Sequence, residues 1–236
     1  MGREPAFLVT CEHADNVVPT AYEACFQNDR QVLKTHQAFD LGALELAKEL
    51  AHCLDAILIQ ATVTRLIVDL NRSLSNPRVF SPYTRHLNSD ERSVILGTYY
   101  RPYRHEVEEI IRQSTRSAVL TIHISVHSFT PQLNGVFRNA DIGLLYDPQR
   151  EAEKQLCLAL QFELGRDRPD LTIRRNYPYR GTDDGLTRYL RCRFAADQYL
   201  GIELEVNQKW PLGDVRGWRG VRSDLIASLA RCVPST

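Results

Sequence analysis

"VLTIHISVHSFTP", residues 119–131, is an apolar, β-branched run that ends in polar groups. As a strand it places His123 and His127 on one face, because successive side chains point to opposite faces. Four residues of strand span roughly 13 Å, so the two imidazoles cannot share one metal ion while the strand stays regular. His127, at the carboxyl end, belongs to the edge of a site. His123 belongs inside the sheet, as a hydrogen-bonded core residue.

Further β-rich runs surround this one: "AFLVT" (6–10), "AILIQ" (56–60), "RLIVDL" (65–70), "IGLLY" (142–146), "LTIRR" (171–175) and "GIELEV" (201–206). Helical patterns lie between them. Leu41, Leu44, Ala47, Leu50, Ala51 and Leu54 recur at helix spacing and predict a helix over 40–55. "RPYRHEVEEIIRQS" (101–114) has Pro102 near its start and stacks Val107, Ile110 and Ile111. In "DPQREAEKQLCLALQFELG" (147–165), Asp147 is placed to cap, Pro148 to open the first turn and Gly165 to stop the helix. Strands alternating with helices predict an α/β fold whose sheet, mainly parallel, lies between helices. No segment is rich enough in Pro, Gly or Ser to mark a linker and no repeat is visible, so residues 1–236 read as a single domain.

Lys plus Arg equals Asp plus Glu at 29 each, so no bulk charge favours nucleic acid or an anionic membrane as partner. The apolar run near the N-terminus is too short for a signal peptide, and no run reaches membrane-spanning length. Six scattered cysteines without a C-x-x-C pair argue against a zinc ribbon or a disulfide framework. The expected setting is cytoplasmic.

In α/β sheets, function gathers beyond the carboxyl ends of the strands. "FLVTCEHADNVVP" (7–19) empties into Glu12 and His13, of which at most one aims into a given site while the chain is extended. "GIELEVNQ" (201–208) puts Glu203 and Glu205 on one face, with Glu205 nearer the rim. "RLIVDLNRSLSNP" (65–77) ends in Asp69, Asn71 and Arg72, with Arg65 on the same side as Asp69. Two neutral imidazoles suit a divalent transition metal, commonly zinc, with a third ligand and an open position. A carboxylate that is not a ligand can move the proton of an attacking water, and an Arg with a neighbouring Asn can fork onto a substrate carboxylate. These are the parts of a metal-dependent amide hydrolase acting on a small acidic substrate. His36, His52 and His86 read as solvated, and His105 as a surface residue of its helix.

The segments "CEHADNVVP", "FDLGALELA", "TRLIVDLNR", "HSFTP" with "FRNADIGLLYD", "NYPYRG" and "IELEVN", in this order, resemble the N-formylglutamate amidohydrolase family. The resemblance runs from about residue 6 to 208. It implies a three-layer α/β/α sandwich with a mixed, mostly parallel sheet, related to zinc carboxypeptidases and aspartoacylase-like deacylases. It implies one Zn2+ bound by His13 and His127, Glu205 as general base, and Asn71 and Arg72 holding the carboxylate of an acylated acidic amino acid, with Arg65 as a second contributor. The related enzymes take a glutamate three residues after the first histidine, where this chain has Asn16. Two residues can replace it as third metal ligand: Asp40, whose other reading is a helix N-cap, and Glu12, which should face away from His13; Asp40 is preferred. Arg138, and Tyr179 with Asn176, are expected to wall the pocket. The expected substrate is N-formyl-L-glutamate or a similar N-acyl amino acid, in amino-acid catabolism. The alternatives are a deacylase or carboxypeptidase-like enzyme on another N-acyl amino acid or a cell-wall peptide, and a non-catalytic binding protein on the same fold.

Overall fold

A six-stranded sheet forms the centre of the computed structural model, which describes residues 4–233. In chain order the elements are β1 (Ala6–Cys11), α1 (Ala43–Cys53), β2 (Ile57–Gln60), α2 (Ser89–Ile95), α3 (Arg101–Arg116), β3 (Thr121–Phe129), β4 (Gln132–Leu133), β5 (Val136–Phe137), β6 (Ile142–Leu145), α4 (Glu151–Asp167), β7 (Ile173–Arg175), α5 (Leu186–Arg191), β8 (Tyr199–Asn207) and α6 (Val215–Cys232). The strands lie in the order β2-β1-β3-β8-β6-β7. β2, β1, β3 and β8 are parallel, β6 runs against β8, and β7 is parallel to β6. The sheet is therefore mixed and mostly parallel. β4 and β5 form a separate small hairpin.

Helices cover both faces of the sheet. α1, α4 and α6 make one layer, tied by Arg222 of α6 to Glu45 and Glu49 of α1 and by Arg231 of α6 to Glu163 of α4. α3 and α5 make the other, where Tyr103 reaches Glu12 and Thr187 reaches Glu203. Every residue of β3 and β8 is buried, as expected for central strands covered on both sides. The face toward α3 and α5 is nevertheless polar: Thr10, His123, Ser125, Tyr199 and Glu203 all lie on it, buried.

Three expectations fail, each for a local reason. "RLIVDL" is not a strand, although Leu66, Ile67, Val68 and Leu70 are all buried. Its backbone is satisfied by turns and side chains instead of a ladder. Ile67 N–H donates to Thr64 O, Ser81 and Thr84 hydroxyls donate to Leu66 O, and Arg104 donates to Leu70 O. Helix α1 starts at Ala43 rather than Asp40, capped by Gly42 at φ +81°. A Cβ at Gly42 would lie 2.8 Å from Pro211 Cβ, so both conformation and space require glycine there. Helix α4 starts at Glu151, because Asp147 spends its side chain on Gln149 N–H in a separate turn. It then runs through Gly165, whose missing Cβ faces open space apart from Ile173.

Candidate active site

The parallel strands β1, β3 and β8 all end at one edge, and the chain leaving each delivers a functional group to the same narrow cavity of about 90 Å³. His127 lies in β3 directly opposite Glu205 in β8, and Ser125 opposite Glu203. His13 follows β1, and its carbonyl accepts from Asp40 N–H at 2.9 Å, which brings the start of the α1 loop over the strand end. With Gly42 capping α1, the Asp40 side chain is free of helix duty. Its Oδ2 lies 2.9 Å from His127 Nδ1 and 3.2 Å from His13 Nδ1. The ligand atoms of His13, Asp40 and His127 all fall within 4.8 Å of one another, and all three residues are buried.

Each histidine has a second carboxylate on its other nitrogen. His13 Nε2 is 2.8 Å from Asp69 Oδ1, and His127 Nε2 is 3.0 Å from Glu12 Oε2. Carboxylates on the outer nitrogens favour protons there, so that a metal ion would find both Nδ1 lone pairs beside Asp40 Oδ2; without one, His127 holds a proton between its Nδ1 and Asp40. Three donor atoms aimed at one point need a cation between them, which is a proton or a metal ion. Two imidazoles and a carboxylate are a zinc-type donor set with positions to spare. The residues present therefore fit the metal that the resemblance implies. Glu12, the alternative third ligand, points to the α3 side and backs His127; Asn16 donates from Nδ2 to Leu33 O, outside the cavity.

The electrostatics are those of a buried charge cluster. Burial alone would raise the Asp40 pKa, but His13 and His127 hold the carboxyl well below its usual range. Asp69 is likewise held low against its burial, chiefly by Arg65 and His13. Burial would lower the His127 pKa, but hydrogen bonds to Asp40 and Glu12 and their charges raise it well above the usual value. Glu205 behaves oppositely. Burial pushes its pKa up to about 8, helped by the negative charges of Asp40 and Glu203 and opposed by His127. Its Oε2 is buried with no hydrogen-bond partner, an acceptor left for something the cavity receives.

The basic side of the cavity comes from the buried turn 65–72. Arg65 Nη2 pairs with Asp69 Oδ2 at 2.7 Å, and its Nη1 is 3.5 Å from Asp40 Oδ1. Arg72 donates to Asp184 O at 2.6 Å and stays partly exposed to the cavity. Asn71 is more engaged than a carboxylate clamp requires: its Oδ1 accepts from Leu186 N–H at 2.6 Å and fixes the start of α5. Tyr179 stands at the mouth, 41% exposed. Arg138, expected as a wall, does not line the cavity; it sits behind Tyr179, donating to the phenol oxygen at 3.0 Å with its guanidinium 5.1 Å from the ring. Asn176 fastens the loop by accepting from Tyr146 and Gly181 N–H and makes no wall.

Several lining residues escape a reading by strand ends. Ser128, Arg180, Asp183, Asp184 and Glu203 all face the cavity. The acidic pair in "GTDDG" looks like ordinary turn chemistry before α5, and Glu203 is one strand repeat behind Glu205. Asp69 serves His13 and Arg65 together.

A mixed α/β sheet with buried imidazoles and carboxylates at its parallel strand ends defines a hydrolase of the amidohydrolase class. Within that class, the chain belongs to the N-formylglutamate amidohydrolase family, whose model matches residues 6–210. Among solved structures it is similar to gene product Atu2144 from Agrobacterium tumefaciens, at 28% identity and TM-score 0.82, over 97% of this chain and 90% of that one. It shares its fold with N-formylglutamate amidohydrolase from Ralstonia eutropha JMP134, at 18% identity and TM-score 0.61, over 98% of this chain and 93% of that one. No curated protein matches the sequence.

Proposed function

We propose that the protein is a metal-dependent amidohydrolase that removes a short acyl group, formyl by family, from an N-acylated acidic amino acid such as N-formyl-L-glutamate. The observation that carries this reading is the convergence of His13 Nδ1, Asp40 Oδ2 and His127 Nδ1 in the cavity that also holds the unpartnered Glu205 Oε2. His13, Asp40 and His127 would hold one divalent ion, zinc by its donor set, which supplies Lewis-acid polarisation of the amide carbonyl and acidifies water.

Glu205 Oε2 takes a proton from the attacking water as its oxygen bonds to the acyl carbon. The same oxygen returns that proton to the amide nitrogen as the C–N bond breaks, giving the acid and the free amine. A carboxyl poised near neutrality suits both steps. Arg72 and Arg65 orient the substrate carboxylate, Asn71 contributing only its Nδ2, while Tyr179, braced by Arg138, closes the mouth. The partner is thus a small acylated amino acid. All six cysteines are unpaired, which fits a reducing, cytoplasmic setting, and among the described residues no helix is long and apolar enough to cross a membrane.

The test is formate release from N-formyl-L-glutamate by zinc-reconstituted protein against a chelated control. Metal-dependent release supports the reading. A protein that holds one zinc yet releases no formate keeps the hydrolytic centre and discards this substrate, and a protein that takes up no zinc overturns the metal-dependent reading.

A further inference from the structure

The proposed chemistry makes no use of His123, a fully buried imidazole in the middle of β3, or of Tyr199 at the start of β8. Both belong to an unbroken line of polar contacts on the α3 and α5 face of the sheet. Tyr199 Oη is 2.7 Å from His123 Nδ1, and His123 Nε2 is 2.7 Å from Thr10 Oγ1. Thr10 Oγ1 is 2.5 Å from Glu12 Oε1, and Glu12 Oε2 is 3.0 Å from His127 Nε2. We propose that this line is a one-directional hydrogen-bond chain that sets the tautomer of His127, which makes Tyr199, His123 and Thr10 positioning residues for the metal centre. The inference rests on the metal-centre reading given above.

The direction follows from counting hydrogens. Glu12 accepts only, since the groups around its two oxygens are all able to donate: the Thr10, Ser125 and Tyr103 hydroxyls and His127 Nε2. Thr10 must therefore donate to it, and with its one hydrogen spent, Thr10 accepts from His123 Nε2–H. Burial keeps His123 neutral, with a pKa near 4, so its Nδ1 is bare and accepts from the Tyr199 hydroxyl. Each tautomer is dictated by its neighbour, and no link can be reversed alone. At the far end Glu12 Oε2 also accepts from Ser125 Oγ at 2.8 Å, which spends the serine hydrogen as well. His127 is left to donate from Nε2, so that a metal ion would take its Nδ1 lone pair on the Asp40 side.

That outcome is contested locally, which is why the chain has work to do. Asn71 Nδ2 lies 3.4 Å from His127 Nε2, and its amide is fixed with nitrogen inward because Leu186 N–H holds its oxygen. A donor at that place favours the opposite tautomer, with the lone pair on Nε2 and the proton on Nδ1. The charge and orientation of Glu12 decide the contest, and Thr10 with Tyr103 orients it. Loss of the Thr10 hydroxyl frees the Glu12 carboxylate, and loss of the Tyr199 hydroxyl lets His123 exchange tautomers and withdraw the proton that Thr10 accepts.

The test uses the full chain and two readouts other than activity: zinc affinity by chelator competition, and the visible absorption of the cobalt(II) form. Thr10→Val, near-isosteric, is expected to weaken zinc binding roughly tenfold and to change the cobalt spectrum, Thr10→Ser to restore both, and Tyr199→Phe to fall between them. If Thr10→Val and Tyr199→Phe bind zinc within about twofold of the wild type and share its cobalt spectrum, the chain has no part in positioning His127 and the centre itself still stands. A wild-type protein that takes up neither metal overturns the centre, and this inference with it.

Discussion

Glu205 and His127 face one another across the β3–β8 ladder, in register, with His127 committed to Asp40 and Glu12 and Glu205 Oε2 committed to nothing. One residue of the pair is fully occupied and the other is free to act. Replacing Glu205 by Gln keeps the shape and removes the base. Steady-state kinetics should show kcat lower by roughly 10²–10⁴ with KM little changed, and zinc content should stay at the wild-type level. Equal loss of bound zinc would mean that Glu205 is a ligand instead.

The same carboxyl makes a prediction about stability. Its folded-state pKa, about 8, lies above the ordinary 4.5 because of burial, so the native state favours the protonated form. The stabilisation from this group is complete below pH 4.5 and is lost as pH rises through 8. In the metal-free protein, Glu205→Gln should therefore match the wild type near pH 5 and melt higher at pH 9, by about 4 °C or more. Thermal melts at the two pH values measure it; a variant that melts lower at pH 9 would contradict the buried, raised carboxyl.

Arg72 is held at its guanidinium edge by the carbonyl of Asp184 and remains open to the cavity. Arg72→Ala should raise KM for an N-formyl acidic amino acid roughly 10- to 100-fold while kcat changes much less. Unchanged substrate affinity would remove Arg72 from the clamp.

Asp40 is the carboxylate between the two histidines, whereas Asn16 is turned away to Leu33. Asp40→Asn should weaken zinc binding by at least about tenfold. Asn16→Glu, which restores the spacing of the related enzymes, should leave zinc affinity where it is. Equilibrium dialysis of both variants separates a ligand defined in space from one defined by spacing.

Gly143 sits in β6 opposite Glu205, and a Cβ there would lie 2.0 Å from the carbonyl oxygen of Tyr177. Gly143→Ala must push away the loop that carries Tyr179. A loss of about 2 kcal/mol or more in denaturant unfolding is expected, together with a raised KM. Wild-type behaviour in both would show that the loop is not seated on that glycine.

Much of this was legible in the sequence because the informative residues stand at the ends of regular elements. Strand rise separates His127 from His123, and position at the carboxyl end sets Glu205 nearer the rim than Glu203; the structure keeps both placements. Asp40 was legible only as a choice, since an aspartate before an amphipathic run is also a good cap; the close approach of Pro211 and Trp218 to Gly42 is what moves the cap to the glycine, and no local pattern announces it. The turn 65–72 misleads for a related reason. An unbroken apolar run is the pattern of a buried strand, and only distant partners, Ser81, Thr84 and Arg104, reveal that its backbone is paired some other way. Arg138 fails as a wall because reach depends on the loop that carries Tyr179, which a sequence does not orient.

Asp69 turns one oxygen to His13 and the other to Arg65. A single carboxylate thus stiffens both an imidazole and a guanidinium of the cavity, and whatever pulls on one is felt by the other. Linkage makes such a connection reciprocal: if an occupied metal centre helps the arginines receive a carboxylate, the bound carboxylate tightens the metal by the same factor. Under the function proposed above, a protein short of metal would then reload most readily when substrate is abundant, and substrate supply would set how much of the population is armed.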